Sequence, residues 1–326
     1  DIPVYSVTNT QGFCKDYFGK EVASKDKTTY KIVPRGCFAY NPSRINVGSV
    51  DWQRNEDRVI VSPLYNVFSV SEELNLQYLY YYLKSDFALQ RIRAVATGSV
   101  RDNLKLNMLY EFPINIPTID EQNILVDKLD KARKIIALHQ EELKLLDELM
   151  RSRFVELFGE CRKRVFLNDL CSLITDGTHQ PPKFQSDGVP FIFVSNLARD
   201  IITYDTEKYI SAETYLELYK RTPIEIGDVL LSTVGSYGHP AVVTEAKKFL
   251  FQRHIAYLKP KHDIVNSFFL HSALLSPDGQ RQIKEKVKGI AQKTLNLSEI
   301  RKIEIPLPEL QKQNQFADFA HQVDKS

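Results

Sequence analysis

Two long stretches of this 326-residue chain repeat one another, and the repeat constrains the fold more than any single motif does. Ile2-Pro3-Val4-Tyr5-Ser6-Val7-Thr8-Asn9 resembles Val189-Pro190-Phe191-Ile192-Phe193-Val194-Ser195-Asn196, 187 positions later. Further on the spacing is 191 and holds without a gap. Gly36 matches Gly227, Ser85 matches Ser276, Gly98 matches Gly289 and Leu104 matches Leu295; Ile114, Pro117 and Gln122 then match Ile305, Pro308 and Gln313. Agreement of Gly, Pro, Gln and apolar positions over about 90 residues points to two copies of one α/β unit, each followed by a helix. Length agrees, since domains of about 150 residues predict two. The first copy has no counterpart of residues 167–187, which include the polar turn Thr175-Asp176-Gly177-Thr178-His179, so some twenty further residues are expected before Asp1.

From Glu121 to about Phe158 there is neither Pro nor Gly, and strong helix formers dominate. Leu125, Leu129, Ala132, Ile136, His139, Leu143, Leu146 and Met150 alternate spacings of four and three, a heptad seam with one polar interruption at His139. A helix of this length spans about 55 Å, too long to bury its stripe on one small domain, so a partner helix is expected. Phe316, Ala320 and Val323 stand at the repeat positions of Leu125, Leu129 and Ala132, in a second helix cut short at Ser326. Paired, the two helices would hold the units a set distance apart. His139 is read as a polar core position that sets register, with a pH-sensitive role as the alternative.

Within the second unit, β-type runs fall at 189–194, 228–234, 241–244 and 251–258, with the turn Gly235-Ser236-Tyr237-Gly238-His239-Pro240 between two of them. Helices are expected at 267–275 and 277–287, and at 76–84 in the first unit, where Tyr78, Tyr80, Tyr81 and Tyr82 read as packing rather than base-stacking residues. Residues 240–302 carry 12 Lys/Arg against 5 Asp/Glu, while residues 49–111 carry 7 against 8. The excess in the second unit suits phosphate contact through counterion release, or else a solvated basic face. The first unit would rely on local arginines such as Arg35, Arg44 and Arg101. The chain's formal net charge is only +2, so the whole molecule offers no such hint.

Several chemistries lack their signatures. There is no phosphate-cradling G-x-x-x-x-G-K-[ST] loop, no G-x-G-x-x-G turn, no G-x-S-x-G elbow, no zinc pattern and no N/D-P-P-Y/F run of an amino-methyltransferase. Cys14, Cys37, Cys161 and Cys171 form no C-x-x-C pair and read as reduced thiols of a cytoplasmic protein. No apolar run approaches the roughly 18 residues needed to span a bilayer. Asp228 with Glu245-Ala246-Lys247 loosely fits a metal-dependent nuclease layout, although the first copy has no carboxylates at those positions.

The ordered motifs resemble those of a known family. Leu173-Ile174-Thr175-Asp176-Gly177-Thr178-His179-Gln180-Pro181-Pro182, Gly188-Val189-Pro190-Phe191-Ile192 and Gly227-Asp228-Val229-Leu230-Leu231-Ser232 carry the resemblance. So do the Pro- and Gln-containing junctions Ile116-Pro117-Thr118-Ile119-Asp120-Glu121-Gln122 and Ile305-Pro306-Leu307-Pro308-Glu309-Leu310-Gln311-Lys312-Gln313. On these segments the chain resembles the specificity (S) subunit of type I restriction–modification systems, with Lys312-Gln313 departing from the Glu-Gln favoured there.

The resemblance implies an α+β protein: two similar α/β target recognition domains separated by long antiparallel coiled-coil helices. The expected boundaries are 1–120 for the first domain, 121–158 for a spacer helix, 159–312 for the second domain and 313–326 for the start of a second spacer helix. It implies a non-catalytic subunit whose domains each read half of a bipartite double-stranded DNA target. The helices would set the unread spacer and dock two modification (methyltransferase) subunits, to which restriction subunits attach. S-adenosylmethionine, Mg²⁺ and ATP would belong to those partners, leaving this chain without a cofactor or metal of its own. The alternatives are a helical scaffold with protein-binding ends and, behind it, the nuclease.

Polar residues in expected loops, or aligned between the copies beside such loops, are the candidate DNA contacts. In the second unit these are Thr178, His179, Ser236, Tyr237, His239, Arg253, Gln292, Lys293 and Asn296; in the first, Asn41, Arg44, Arg101, Asn103 and Lys105. For the helix or subunit interface the candidates are the eight seam residues above together with Gln122, Gln313, Phe316, Ala320 and Val323.

Overall fold

A computed structural model describes residues 2–15, 27–96, 103–289 and 292–323. It divides into two compact units, Asp1–His139 and Gln140–Ser326.

The second unit is built on a four-stranded antiparallel sheet in the order Pro240–Val242, Val229–Ser232, Ile255–Pro260, Cys171–Asp176. Side chains alternate across a strand. Val229, Leu231, Ala256 and Leu258 therefore enter one core with Phe269, Leu270 and Phe316, while Leu230, Ile255 and Tyr257 enter another with Phe249 and Phe251. Both faces are covered, which is why the Val229–Ser232 strand is apolar up to its last residue rather than alternating. Val189–Ile192 lies in a second sheet, antiparallel to Tyr209–Ile210 and parallel to Leu250–Phe251. The apolar run expected at 251–258 is thus two strands of two sheets, parted by the polar turn at 252–254.

The first unit repeats this plan. Val50–Trp52, Phe38–Tyr40 and Asn66–Phe68 form the same antiparallel order. Phe38 and Tyr40 face one core with Leu79 and Leu83, and Ala39 faces another with Val33, Val59 and Val61. The parallel bridge of Val4 to Ile60 is the counterpart of Phe191 to Leu250. Register corrects the ungapped spacing of 191. Gly36 N–H donates to Gln53 O, and Gly227 N–H to Val243 O. The glycines are 191 apart and their acceptors 190, so the loop at 41–49 of the first unit holds one extra residue, and the difference is recovered before Asn75 and Asn266.

Helices begin where the chain provides caps. Asn75 Oδ1 accepts from the N–H groups of Gln77 and Tyr78, and Asn266 Oδ1 from those of Phe268 and Phe269, opening helices Leu76–Lys84 and Ser267–Leu275 as expected. The tyrosines of the first strap it down: Tyr78 and Tyr82 hydroxyls donate to the carbonyls of Asn115 and Pro113, and that of Tyr81 to Asp130. The long helix runs Ile119–Phe158, 40 residues, and starts on a capping box between Thr118 and Glu121. The α+β class and this helix agree with expectation. Among the described residues no helix is long and apolar enough to cross a membrane.

The seam is packed at one end only. In the second unit Phe316, on the terminal helix Leu310–Val323, meets Phe154 and Phe158 with ring centroids 5.4 and 5.6 Å apart. Ala320 shares a cavity wall with Met150, so the two helix segments run antiparallel. Leu146, Met150 and Val323 are half-buried, but Leu125, Leu129, Ala132, Ile136, His139 and Leu143 are exposed, Leu143 to 64%. A described terminal helix of 14 residues cannot cover a helix of 40.

Gln122 and Gln313, candidates for a helix or subunit interface, have both side chains wholly buried inside their own units. Gln313 Oε1 accepts from Asn266 N–H, and its Nε2 donates to Ile264 O and Pro308 O. Gln122 makes the same three bonds to Asn75 N–H, Glu73 O and Pro117 O. An amide offers both a donor and an acceptor, and here each joins the cap of one helix to the entry of the next.

Candidate nucleic-acid interface

Three segments of the second unit converge at one end of its main sheet. The first is the end of strand Cys171–Asp176 with Gly177 and Thr178; a side chain at Gly177 would strike the carbonyls of Phe251 and Gln252. The second is the turn at 252–254, pinned by Thr178 N–H to Phe251 O (2.9 Å) and Arg253 N–H to Thr178 O (3.0 Å). The third is the loop entering the short helix Leu297–Ile300, held by Leu295 N–H to Thr233 O (2.8 Å). They enclose a cavity of about 270 Å³ whose wall includes Asp176, Thr233, Arg253, His254, Gln292, Thr294 and Asn296.

Of the candidates, Thr178 and Arg253 are joined through the backbone, and Arg253, Gln292 and Asn296 share the cavity wall. Lys293 is exposed beside it, and neither Lys293 nor Arg253 makes an ion pair among the described residues. His179 is tied back by Nε2 to Asp176 Oδ2 at 2.8 Å. Ser236 is exposed on its turn. Tyr237, by contrast, leans onto the main core, and His239 Nδ1 lies 2.8 Å from Asp200 Oδ1, so those two side chains serve the protein's own packing.

In the first unit Asn41 Oδ1 accepts from Ser43 N–H, closing a turn, and Ser43 Oγ donates to Asn103 Oδ1 at 2.7 Å. Arg44 and Lys105 are exposed, the latter preceding helix Leu106–Tyr110. Arg101 lies outside the described residues.

Arg221 was missed by sequence reasoning. Its Nη2 sits 2.5 Å from Asp176 Oδ1, leaving Oδ2 for His179. No motif links residues 45 positions apart. His254 was also missed; burial and then the neighbouring Arg253 hold its pKa below the usual histidine value, favouring the neutral ring. Burial pushes the Cys171 thiol up to about 12, the mark of a packed rather than reactive cysteine.

Nothing of the nuclease layout assembles. Asp228 is fully buried, and its Oδ2 accepts from the Tyr257 hydroxyl (2.6 Å) and Glu225 N–H (2.7 Å) with Lys259 Nζ at 3.3 Å. Burial, then the bond to Asp228, raises the Tyr257 pKa. Glu245 is exposed, and among the described residues no group of three His, Cys, Asp or Glu side chains could hold a metal ion.

A family model described as the type I restriction modification DNA specificity domain matches residues 1–148 and again residues 163–326. The type I restriction enzyme EcoBI specificity subunit of Escherichia coli is 23% identical over 344 aligned residues, 93% of this chain and 72% of that protein. The MjaVIII specificity subunit of Methanocaldococcus jannaschii is 20% identical over 271 residues, 76% of this chain and 63% of that one. Among solved structures, a chain from a study of assembly and conformational transition in a type I R-M system superposes with a TM-score of 0.52 at 21% identity, over 92% of this chain and 77% of that chain. The S subunit of a type I system from M. genitalium gives 0.52 at 15%, over 90% and 77%. The two structural likenesses are likenesses of fold.

Proposed function

Since this chain belongs to the type I restriction–modification DNA specificity family, we propose that each of its two units reads one half of a bipartite duplex target. The long helix sets the unread spacer and docks modification subunits, two per specificity subunit, through which restriction subunits attach. The role is recognition rather than catalysis, with S-adenosylmethionine, Mg²⁺ and ATP handled by the partners in the cytoplasm.

One observation carries this reading to particular residues. Arg253 and Lys293, which make no ion pair among the described residues, stand beside a polar cavity at the end of a sheet whose two faces are covered. Some cations of this stretch are held by carboxylates: Arg281 pairs with Asp278 and Glu285, Lys288 and Lys302 with Glu299, and Lys259 with Glu225. Arg253 and Lys293 make no such pair among the described residues and stand at this edge, while Lys247, Lys248, Lys284 and Lys286 are likewise without an ion pair elsewhere on the unit.

Binding to duplex DNA, measured for the assembled complex, is expected to fall steeply with salt. Lys293→Ala should weaken binding about equally on all sequences and lower the salt slope by about one, the signature of a lost phosphate contact. A changed sequence preference at undiminished affinity would refute that role for Lys293, and salt-insensitive binding would refute the electrostatic edge.

A further inference from the structure

The two units put different side chains on the same backbone at the same place. In the first unit the turn 62–65 is closed by Tyr65 N–H to Ser62 O (3.0 Å); in the second the turn 252–255 is closed by Ile255 N–H to Gln252 O (3.1 Å). The strand entering each turn is bridged in parallel to the segment with which the repeat opens, at Val4–Ile60 and Phe191–Leu250. The strand leaving each turn pairs antiparallel with the central strand, Phe38–Tyr40 or Val229–Ser232. The loop beside each turn is held alike, Leu104 N–H on Pro42 O and Leu295 N–H on Thr233 O. Once the one-residue slip is allowed for, Pro63 and Leu64 occupy the positions of Arg253 and His254.

Neither Leu64 nor Arg253 belongs to its unit's core. Leu64 is 78% exposed, and Arg253 is exposed without an ion pair among the described residues. The frame beneath is shared, so what differs at the tips is available to distinguish what the units touch. A guanidinium presents two parallel N–H donors that match O6 and N7 of guanine across the major groove. A branched apolar side chain has no hydrogen bond to offer and matches the 5-methyl of thymine. The Arg253 backbone is pinned to Thr178, which makes its reach reproducible.

We propose that these equivalent turns are specificity-determining: Arg253 reads a guanine in the second unit's half-site, and Leu64 contacts a thymine methyl in the first unit's half-site. The proposal rests on the DNA-reading function above.

The test is selection of bound duplexes from a library randomised across both half-sites, using the complex assembled with modification subunits. Arg253→Ala should reduce the preference for guanine at one position of one half-site about tenfold or more, leaving the other half and the spacer unchanged, and Arg253→Lys should retain part of it. Leu64→Ala should relax a thymine preference in the opposite half, several-fold. Both side chains are exposed, so thermal unfolding of each variant should match wild type and exclude misfolding as the cause. An Arg253→Ala complex that keeps the guanine preference makes Arg253 a phosphate contact and overturns the proposal; so does a loss of preference in both halves at once. A wild-type complex that enriches no bipartite sequence overturns the DNA-reading function itself, and this proposal with it.

Discussion

Replacing Leu143 by aspartate is expected to leave the isolated chain folded and to abolish its assembly with modification subunits. Leu143 stands midway along the long helix, 64% exposed, so the chain alone loses almost no packing. An exposed Leu→Asp exchange within a helix costs about 0.5 kcal/mol in propensity. In the complex the balance is different. Ile136 and Leu143 lie on one heptad seam and both are exposed, a stripe that a soluble helix does not keep uncovered in its working state. Covering Leu143 would contribute roughly 1.5–3 kcal/mol, and an unpaired carboxylate in its place would cost several more. Together these exceed 4 kcal/mol, about a thousandfold in affinity. Gel filtration of chain and modification subunits mixed at micromolar concentration reads the result, with circular dichroism melting of the variant as the control for folding. An unchanged complex would remove this seam as the docking surface.

How much of this was legible follows from which interactions are local. Helices 76–84 and 267–275 could be placed because their asparagine caps and apolar faces lie within one stretch of sequence. The long helix could be placed because nothing in it breaks a helix. Register could not. Matched residues on both sides of the 41–49 loop conceal a slip that is undone before Asn75, and the hydrogen-bond partners of Gly36 and Gly227 expose it. The strand break at 252–254 was hidden because apolar residues on either side continue the pattern while the chain changes sheets. At the candidate site, Arg253, Gln292 and Asn296 were legible as polar residues in loops. The ion pair of Asp176 with Arg221 was not, because it depends on distant segments folding together. Tyr237 and His239 have the right chemistry on the right turn, yet the first packs on the core and the second pairs with Asp200, and residue type does not disclose direction. The bonding of Gln122 and Gln313 was hidden for a related reason: residue type at a helix start does not disclose three backbone partners.

Those two glutamines set the second large effect. Gln313→Leu keeps the approximate volume and removes every hydrogen bond of the amide. Asn266 N–H and the carbonyls of Ile264 and Pro308 then lose their partner in a site where the side chain had no solvent exposure. Each buried polar group left without a partner costs about 1–3 kcal/mol. Relief from desolvating the amide offsets part of this, leaving a net loss on the order of 3–5 kcal/mol. For a cooperative unit of this size that lowers the unfolding temperature of the second unit by on the order of 10 °C. Gln122→Leu should do the same to the first unit through Asn75, Glu73 and Pro117. The exposed Gln315, on the same helix as Gln313, is the control, and its change to leucine should stay within about 0.5 kcal/mol. The locks also bear on function. Each ties the helix that follows a unit to the cap of a helix inside that unit, so loosening it frees the spacer from the reading head before either unfolds. Differential scanning calorimetry of the single variants and the double variant decides the matter, since two independent locks require additive losses in two transitions. A Gln313→Leu chain that melts with wild type would show that the buried amide bonds contribute nothing to the hold between helix and unit.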